Sequence, residues 1–168
     1  MINQTENKFL DISKLLAGET DEIVFDRSDI PFPFEEEISV SSLHFSGRVF
    51  RFSEFVRLSG TVTGEYSAPC ARCLAPVKEP FSIAVDCAVG NAPDESDEET
   101  VTADGQVIDP ESISQETVLI HLPLRLLCRE DCKGLCPKCG MDLNSGSCGC
   151  AQKEIDPRLA GLADFFKD

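Results

Sequence analysis

The sequence predicts an α+β protein: a mainly antiparallel sheet, meander or barrel-like, with one covering helix and a C-terminal cysteine-rich module ending in a second helix. Three observations predict it. Between Ile38 and Gly90 apolar and polar residues alternate with period two, the pattern of half-buried antiparallel strands. Residues 109–122 change to helical spacing behind an Asp-Pro-Glu start. Eight of the nine cysteines come in close pairs, and three of those pairs follow residue 127. A chain of 168 residues buries one ordinary core and a small module. Residues 1–127 are therefore expected as a β-rich part and 128–168 as a cysteine module packed on it, together one structural unit.

In chain order, residues 9–16 read as a short strand and a helical turn ended by Gly18, and residues 22–26 as a brief strand. Pro31 and Pro33 break regular structure, and Glu35 to Glu37 form a small solvated run. Leu43, Phe45, Gly47 and Val49 mark one face of the first long strand. Val56, Leu58, Gly60, Val62, Gly64 and Tyr66 mark that of the second; Phe81, Ile83, Val85, Cys87 and Val89 mark that of the third. Ser53 and Glu54 are expected to turn between the first two, and Cys70 and Cys73 to sit at the tip joining the second and third. Cys87, the unpaired cysteine, reads as a small buried hydrophobe.

Residues 91–105 carry Asp94, Glu95, Asp97, Glu98, Glu99 and Asp104 with no base, and read as an acidic loop without the spacing of a calcium site. Val107 and Ile108 suggest a brief strand. A helix over about 110–122 follows, with Asp109 as cap, Pro110 in the first turn and Glu111 at the positive end. Ile113, Glu116, Thr117, Ile120 and Leu124 fall on one face, widened by Val118, Leu119 and Leu122, so this helix is expected to be well covered. His44 and His121 have no acid at motif spacing and read as core or edge histidines. After Cys150, Asp156 and Pro157 start a terminal helix whose apolar face is Leu159, Leu162, Phe165 and Phe166.

The cysteine pairs are Cys70 with Cys73, Cys128 with Cys132, Cys136 with Cys139, and Cys148 with Cys150. Eight thiols suffice for two tetrahedral tetrathiolate sites, the closed form of structural zinc, and about two zinc ions are expected. Cys-Pro-Lys-Cys-Gly at 136–140 is the strongest single signal: a two-residue spacer lets both sulfurs reach one ion, and Gly140 allows the turn beneath it. Iron–sulfur ligation uses thiolates in fours equally well. A disulfide framework fits less well with a chain that opens on Met without a secretory signal, which points to the reducing cytoplasm. A thioredoxin-like role lacks its βαβ context. Four pairs match three ways. Loop closure favours near neighbours, which groups Cys136, Cys139, Cys148 and Cys150, leaving Cys70, Cys73, Cys128 and Cys132 as a long-range clasp; spacing also allows the other matchings.

The charge is strongly negative, 30 acids against 15 bases for −15. Such a chain is repelled by nucleic acid unless its bases gather. Arg48, Arg51, Arg57, Arg72 and Lys78 surround the first cysteine pair, and Arg125, Arg129, Lys133 and Lys138 surround the next two. Arg72, Arg125, Arg129, Lys133 and Lys138 are accordingly the candidate contacts to RNA or a partner. No apolar run approaches the ~20 residues of a membrane span. No small-molecule substrate is expected, because closed sulfur sites leave no place for an activated water.

Several stretches together resemble the YceD family, linked to accumulation of large-subunit ribosomal RNA. They are Leu-Asp-Ile-Ser-Lys-Leu-Leu at 10–16, Cys-Ala-Arg-Cys-Leu at 70–74, Leu-Pro-Leu-Arg-Leu-Leu-Cys at 122–128 and Asp-Cys-Lys-Gly-Leu-Cys-Pro-Lys-Cys-Gly at 131–140. Leu-Asn at 143–144, Cys-Gly-Cys at 148–150 and Ile-Asp-Pro-Arg-Leu at 155–159 complete the set. Many members keep the first cysteine pair and lack the Cys-Pro-x-Cys-Gly knuckle, which implies that the knuckle is a separate, added site. The resemblance implies a cytoplasmic, non-catalytic factor of large-subunit biogenesis that binds a ribosomal protein or ribosomal RNA. An RNA-processing or redox enzyme, and a zinc-stabilised adaptor unrelated to the ribosome, are the readings of other classes.

Overall fold

The computed structural model describes residues 8–33, 37–52, 55–90, 100–102 and 106–150. The expected turn at 53–54, the acidic residues 94–99 and the terminal helix after Cys150 lie outside them.

Five strands form one open sheet. β2 (Glu22–Ile30), β3 (Ser39–Phe52), β4 (Phe55–Pro69) and β5 (Pro76–Gly90) run as an antiparallel meander, and β6 (Thr100–Thr102) adds in parallel to the end of β5. The meander form of the expected architecture is thus the one adopted. The period-two faces fall as read: Leu43, Phe45, Val49, Leu58, Val62, Tyr66, Val85 and Cys87 are buried. Phe25 and Phe45 meet edge to face at 4.9 Å, a favoured aromatic geometry. The cross-strand pair Gly47 and Gly60 makes room for them, since a Cβ on Gly60 would stand 2.9 Å from the Phe45 ring.

β2 runs farther than the expected 22–26. Arg27 explains the difference: it takes a core-side position after Ile23 and Phe25 and is itself buried, so a charge interrupts the apolar alternation. Beyond it the ladder slips between Arg27 and Ile30, opposite a matching slip between Ser41 and His44. Asp29 and Ser42 absorb it at a φ of 54°.

The N-terminal segment closes over the sheet. β1 (Leu10–Asp11) pairs antiparallel with β7 (Val107–Ile108), and the one-turn α1 (Ser13–Leu16) follows. Leu10, Ile12, Leu15 and Ile108 join the sheet residues in one core. Gly18, at a φ of 77°, ends the turn as expected, and the Arg51 guanidinium donates to the Leu15 and Leu16 carbonyls at its C-terminal end.

α2 (Pro110–His121) starts as predicted, with Asp109 Oδ1 accepting the Glu111 and Ser112 N–H groups at 3.0 and 3.3 Å. Its buried face matches the predicted one only at Ile113 and Val118. Pro110, Ile113, Ser114 and Val118 face the core, while Ile120 is 77% exposed and Leu124 beyond the helix is fully exposed. Ser114 hid the true face; its hydroxyl is satisfied by the Glu111 carbonyl at 2.7 Å and so tolerates burial. Among the described residues the helix is covered on one side only.

Both histidines have partners, His44 half-buried and His121 exposed. His44 Nε2 lies 2.9 Å from Asp26 Oδ1 on the neighbouring strand, and His121 Nδ1 lies 2.8 Å from the Thr117 carbonyl.

Candidate metal centres

The β4–β5 hairpin ends in a tight tip. Pro69 pairs with Pro76, the Cys70 N–H donates to the Ala75 carbonyl at 2.7 Å, and the Leu74 N–H returns to the Cys70 carbonyl at 3.0 Å. Leu74 turns there at a φ of 63°. After α2, Pro123 blocks further helix and the chain passes across this tip. The Ala71 N–H donates to the Leu126 carbonyl at 2.9 Å, and the Leu135 N–H to the Arg72 carbonyl at 3.1 Å. Gly134, at a φ of 74°, fits under the tip because a Cβ there would stand 2.9 Å from the Arg72 carbonyl oxygen. The segment 126–135 is thereby laced to the tip before any ligand is considered.

This crossing gathers four sulfurs. Cys70 and Cys132 are buried and 3.8 Å apart; Cys73 and Cys128 are more exposed and 3.6 Å apart; all four ligand atoms lie within 4.8 Å of one another. The second set is Cys136, Cys139, Cys148 and Cys150, again within 4.8 Å, with Cys136 buried and Cys139 exposed. Its turn is made by the Cys136 N–H to the Met141 carbonyl and the Gly140 N–H to the Cys136 carbonyl, both at 2.8 Å, with Gly140 at a φ of 72°.

Both sets are compact enough to hold one ion, and the first has the spacing of a tetrahedral one. Four thiolates at about 2.3 Å from one centre stand about 3.8 Å apart, and the measured pairs in the first set are 3.8 and 3.6 Å. A disulfide would bring its two sulfurs to about 2.05 Å. Each tetrad could hold one metal ion, with Cys70, Cys73, Cys128 and Cys132 as ligands in the first and Cys136, Cys139, Cys148 and Cys150 in the second.

Backbone donors prepare each set for negative charge. The Cys70 thiol is pulled down to about 6, first by the N–H of Cys128 and then by that of Cys73, against the opposing effect of burial. Cys136 is likewise pulled down to about 6 by the N–H groups of Cys139 and Lys138. The same local device therefore serves both Cys-x-x-Cys turns. Burial, the largest influence on Cys132, pushes its thiol up, yet the donors facing it, Asn144 first, leave it lowered. Three neighbours, Cys73, Cys128 and Cys150, move the other way. Cys128 is pushed up to about 12, chiefly by its hydrogen bond to Cys73, and Cys150 to about 12, chiefly by its hydrogen bond to Cys139. Thiols this close cannot all ionise without a cation between them.

The basic residues do not converge into one open patch. Arg72 Nη1 donates to the Cys132 carbonyl at 2.7 Å and to the Glu130 carbonyl at 3.2 Å, so it braces the turn that carries Cys132. Arg129 binds Asn144 Oδ1 at 2.8 Å and Asp131 at 3.3 Å. Lys133 and Lys138 are exposed on the two cysteine turns. Arg125 lies apart, on a groove of about 860 Å³ with Leu74, Leu119 and Leu124. In the sheet, Arg48 pairs with Glu22 and Arg57 with Asp86. Two residues that spacing did not single out prove central, Gly134 and Asn144. Asn144 Nδ2 donates to Cys132 Sγ at 3.4 Å, and its signal in sequence was the Leu-Asn stretch that shares in the family resemblance.

A mainly antiparallel sheet whose hairpin tip and C-terminal turns bring together two cysteine tetrads defines a small β-sheet protein with two candidate metal centres. Comparison with known proteins places it further. The family model described as large ribosomal RNA subunit accumulation protein YceD matches residues 58–166. The chain belongs to the YceD family. An uncharacterized protein of Mycobacterium tuberculosis is 40% identical over 126 residues, covering 71% of this chain and 59% of that protein. The uncharacterized protein YlbN of Bacillus subtilis is 30% identical over 131 residues, covering 76% of each. The Arabidopsis thaliana chloroplastic protein named large ribosomal RNA subunit accumulation protein YCED homolog 1 is 25% identical over 148 residues, covering 70% of this chain and 46% of that protein. The chain thus spans about three fifths of the mycobacterial relative's length. No solved structure matches. Among the described residues no helix is long and apolar enough to cross a membrane.

Proposed function

We propose that this protein is a non-catalytic, zinc-stapled factor of large ribosomal subunit biogenesis that acts in the cytoplasm by engaging a basic ribosomal protein of that subunit. The observation that carries the reading is family membership, since the matching family is described by large ribosomal RNA subunit accumulation. Zinc is favoured over an iron–sulfur cluster by compactness. Sulfurs within 4.8 Å of one another suit four ligands on a single ion, whereas a cluster spreads its thiolates over several irons. When bound, zinc would supply a rigid cross-link, and its four sulfur ligands leave no open position for substrate. Cys70 and Cys73 would then be tied to Cys128 and Cys132, fixing the hairpin tip against the segment after α2.

A protein partner is favoured over RNA by the charge and by the bases already engaged. The chain carries −15, and two tetrathiolate zinc sites of net −2 would take it to −19. Arg48, Arg57, Arg72 and Arg129 hold acids, carbonyls or Asn144. Asp94, Glu95, Asp97, Glu98 and Glu99, with the acidic N-terminal third, are the residues we assign to the basic partner; Arg125, Lys133 and Lys138 are lesser contacts.

Binding to large-subunit precursor particles, to isolated large-subunit RNA and to basic ribosomal proteins, each across a salt series, tests this. We expect co-sedimentation with the precursors and protein binding that weakens with salt and on neutralising residues 94–99. Tight RNA binding with a steep salt slope, indifferent to those acids and abolished by Lys133→Ala and Arg125→Ala, would make the protein a direct RNA binder. Absence from the precursors would remove the ribosomal role.

A further inference from the structure

We infer that Asn144 couples the two tetrads, so that a metal ion at one raises the affinity of the other. The inference rests on the proposed occupancy of both. Asn144 lies in the loop 140–147 between Cys139 and Cys148, and so belongs by chain position to the second tetrad. Its side chain serves the first. Nδ2 donates to Cys132 Sγ at 3.4 Å and to Asp142 Oδ1 at 2.8 Å. Oδ1 accepts from the Lys133 N–H and from Arg129 Nη2, each at 2.8 Å. One amide thus holds a sulfur of the first set and both flanks of the turn that presents it.

The rest of the loop is tied down with it. The Leu143 N–H donates to the Gly134 carbonyl at 2.9 Å, Leu135 and Asp142 form an antiparallel bridge, and Asp142 Oδ1 accepts the Asn144 N–H at 2.9 Å. An ion held by Cys136, Cys139, Cys148 and Cys150 would fix both ends of this loop. The entropy of placing Asn144 against Cys132 would then be spent before the first tetrad closes. An ion at the first tetrad would hold Cys132 as a thiolate, and an N–H bond to a charged sulfur is the stronger one. Linkage makes the effect reciprocal. Asparagine suits the position because it offers a donor to sulfur and an acceptor to the backbone at once. Aspartate has the same shape and turns an oxygen toward the thiolate. Asn144 is no ligand; it is a positioning residue.

Anaerobic cobalt(II) titration of the full chain, with zinc competition, tests the coupling. Cys148→Ser leaves only the first site, and its affinity there is expected to fall about tenfold from wild type. Asn144→Asp is expected to lower first-site affinity similarly with both tetrads intact, to add nothing in the Cys148→Ser background, and to shift the sulfur-to-cobalt absorption of the first site. A role in fold stability alone would not move that band. Unchanged first-site affinity in Cys148→Ser, with an unshifted band in Asn144→Asp, overturns the coupling and leaves the two-site reading intact. Failure of the wild type to bind cobalt overturns both.

Discussion

Arg72→Ala decides whether the arginine between the first two cysteines is a brace or a contact. Its Nη1 donates to two carbonyls, Cys132 at 2.7 Å and Glu130 at 3.2 Å. A hydrogen bond to a charged group contributes about 1.5–3 kcal/mol to stability. The side chain is exposed and water can replace it, so about 1–2 kcal/mol is the expected loss. For a chain of this size that lowers the melting temperature by about 2–8 °C. Arg72→Lys should recover only part, because an ammonium on a flexible stem lacks the planar fork that spans two carbonyls. Thermal unfolding by circular dichroism in the metal-loaded and chelator-treated states reads the effect. A drop is expected in both states, because the Ala71–Leu126 and Arg72–Leu135 backbone bonds hold the turn at the tip with or without metal. An unchanged melting temperature together with lost RNA binding would refute the brace and restore Arg72 to the interface.

Two further perturbations follow from the same geometry. Gly134→Ala should cost more than Gly140→Ala. Both residues have a left-handed φ, worth about 1–2 kcal/mol against alanine, but only the Cβ at 134 meets backbone, 2.9 Å from the Arg72 carbonyl oxygen, while that at 140 meets nothing within 4 Å. Chemical denaturation of the two variants side by side checks the order, and equal losses would mean that the hairpin tip does not rest on Gly134. Metal binding should release protons at neutral pH, because Cys128 and Cys150 stand at about 12 without metal and would be thiolates with it. Protons and metal compete for those sulfurs, so affinity should fall as pH falls, and calorimetry in buffers of different ionisation enthalpy would show it.

Much of this structure was legible because the sheet obeys a single rule. Leu43, Phe45 and Val49 on one strand and Leu58, Val62 and Tyr66 on the next alternate without interruption, and all are buried. The cysteines were equally plain, since spacing and loop closure reach the two sets whose sulfurs gather. The failures share one cause, a polar group placed where burial needs an apolar one. Arg27 cut β2 short, and Ser114 turned the reading of α2 to a face that leaves Ile120 in solvent. The arginines misled differently. Charge counting treats each as available, but Arg51 caps α1 and Arg72 braces a turn, partners 35 to 60 residues away in sequence. The knuckle, implied by the resemblance to be a separate addition, is bound to the first set through Asn144. No spacing rule reaches that bond, because it depends on how one loop folds back over another.

Metal analysis of protein purified under reducing conditions without chelator tests the central claim most directly. Elemental analysis should find about two zinc ions per chain. Cys73→Ser and Cys148→Ser should each hold about one. Iron with visible charge-transfer absorption would replace zinc by a cluster, and eight freely reactive thiols with no metal would contradict the account at its base.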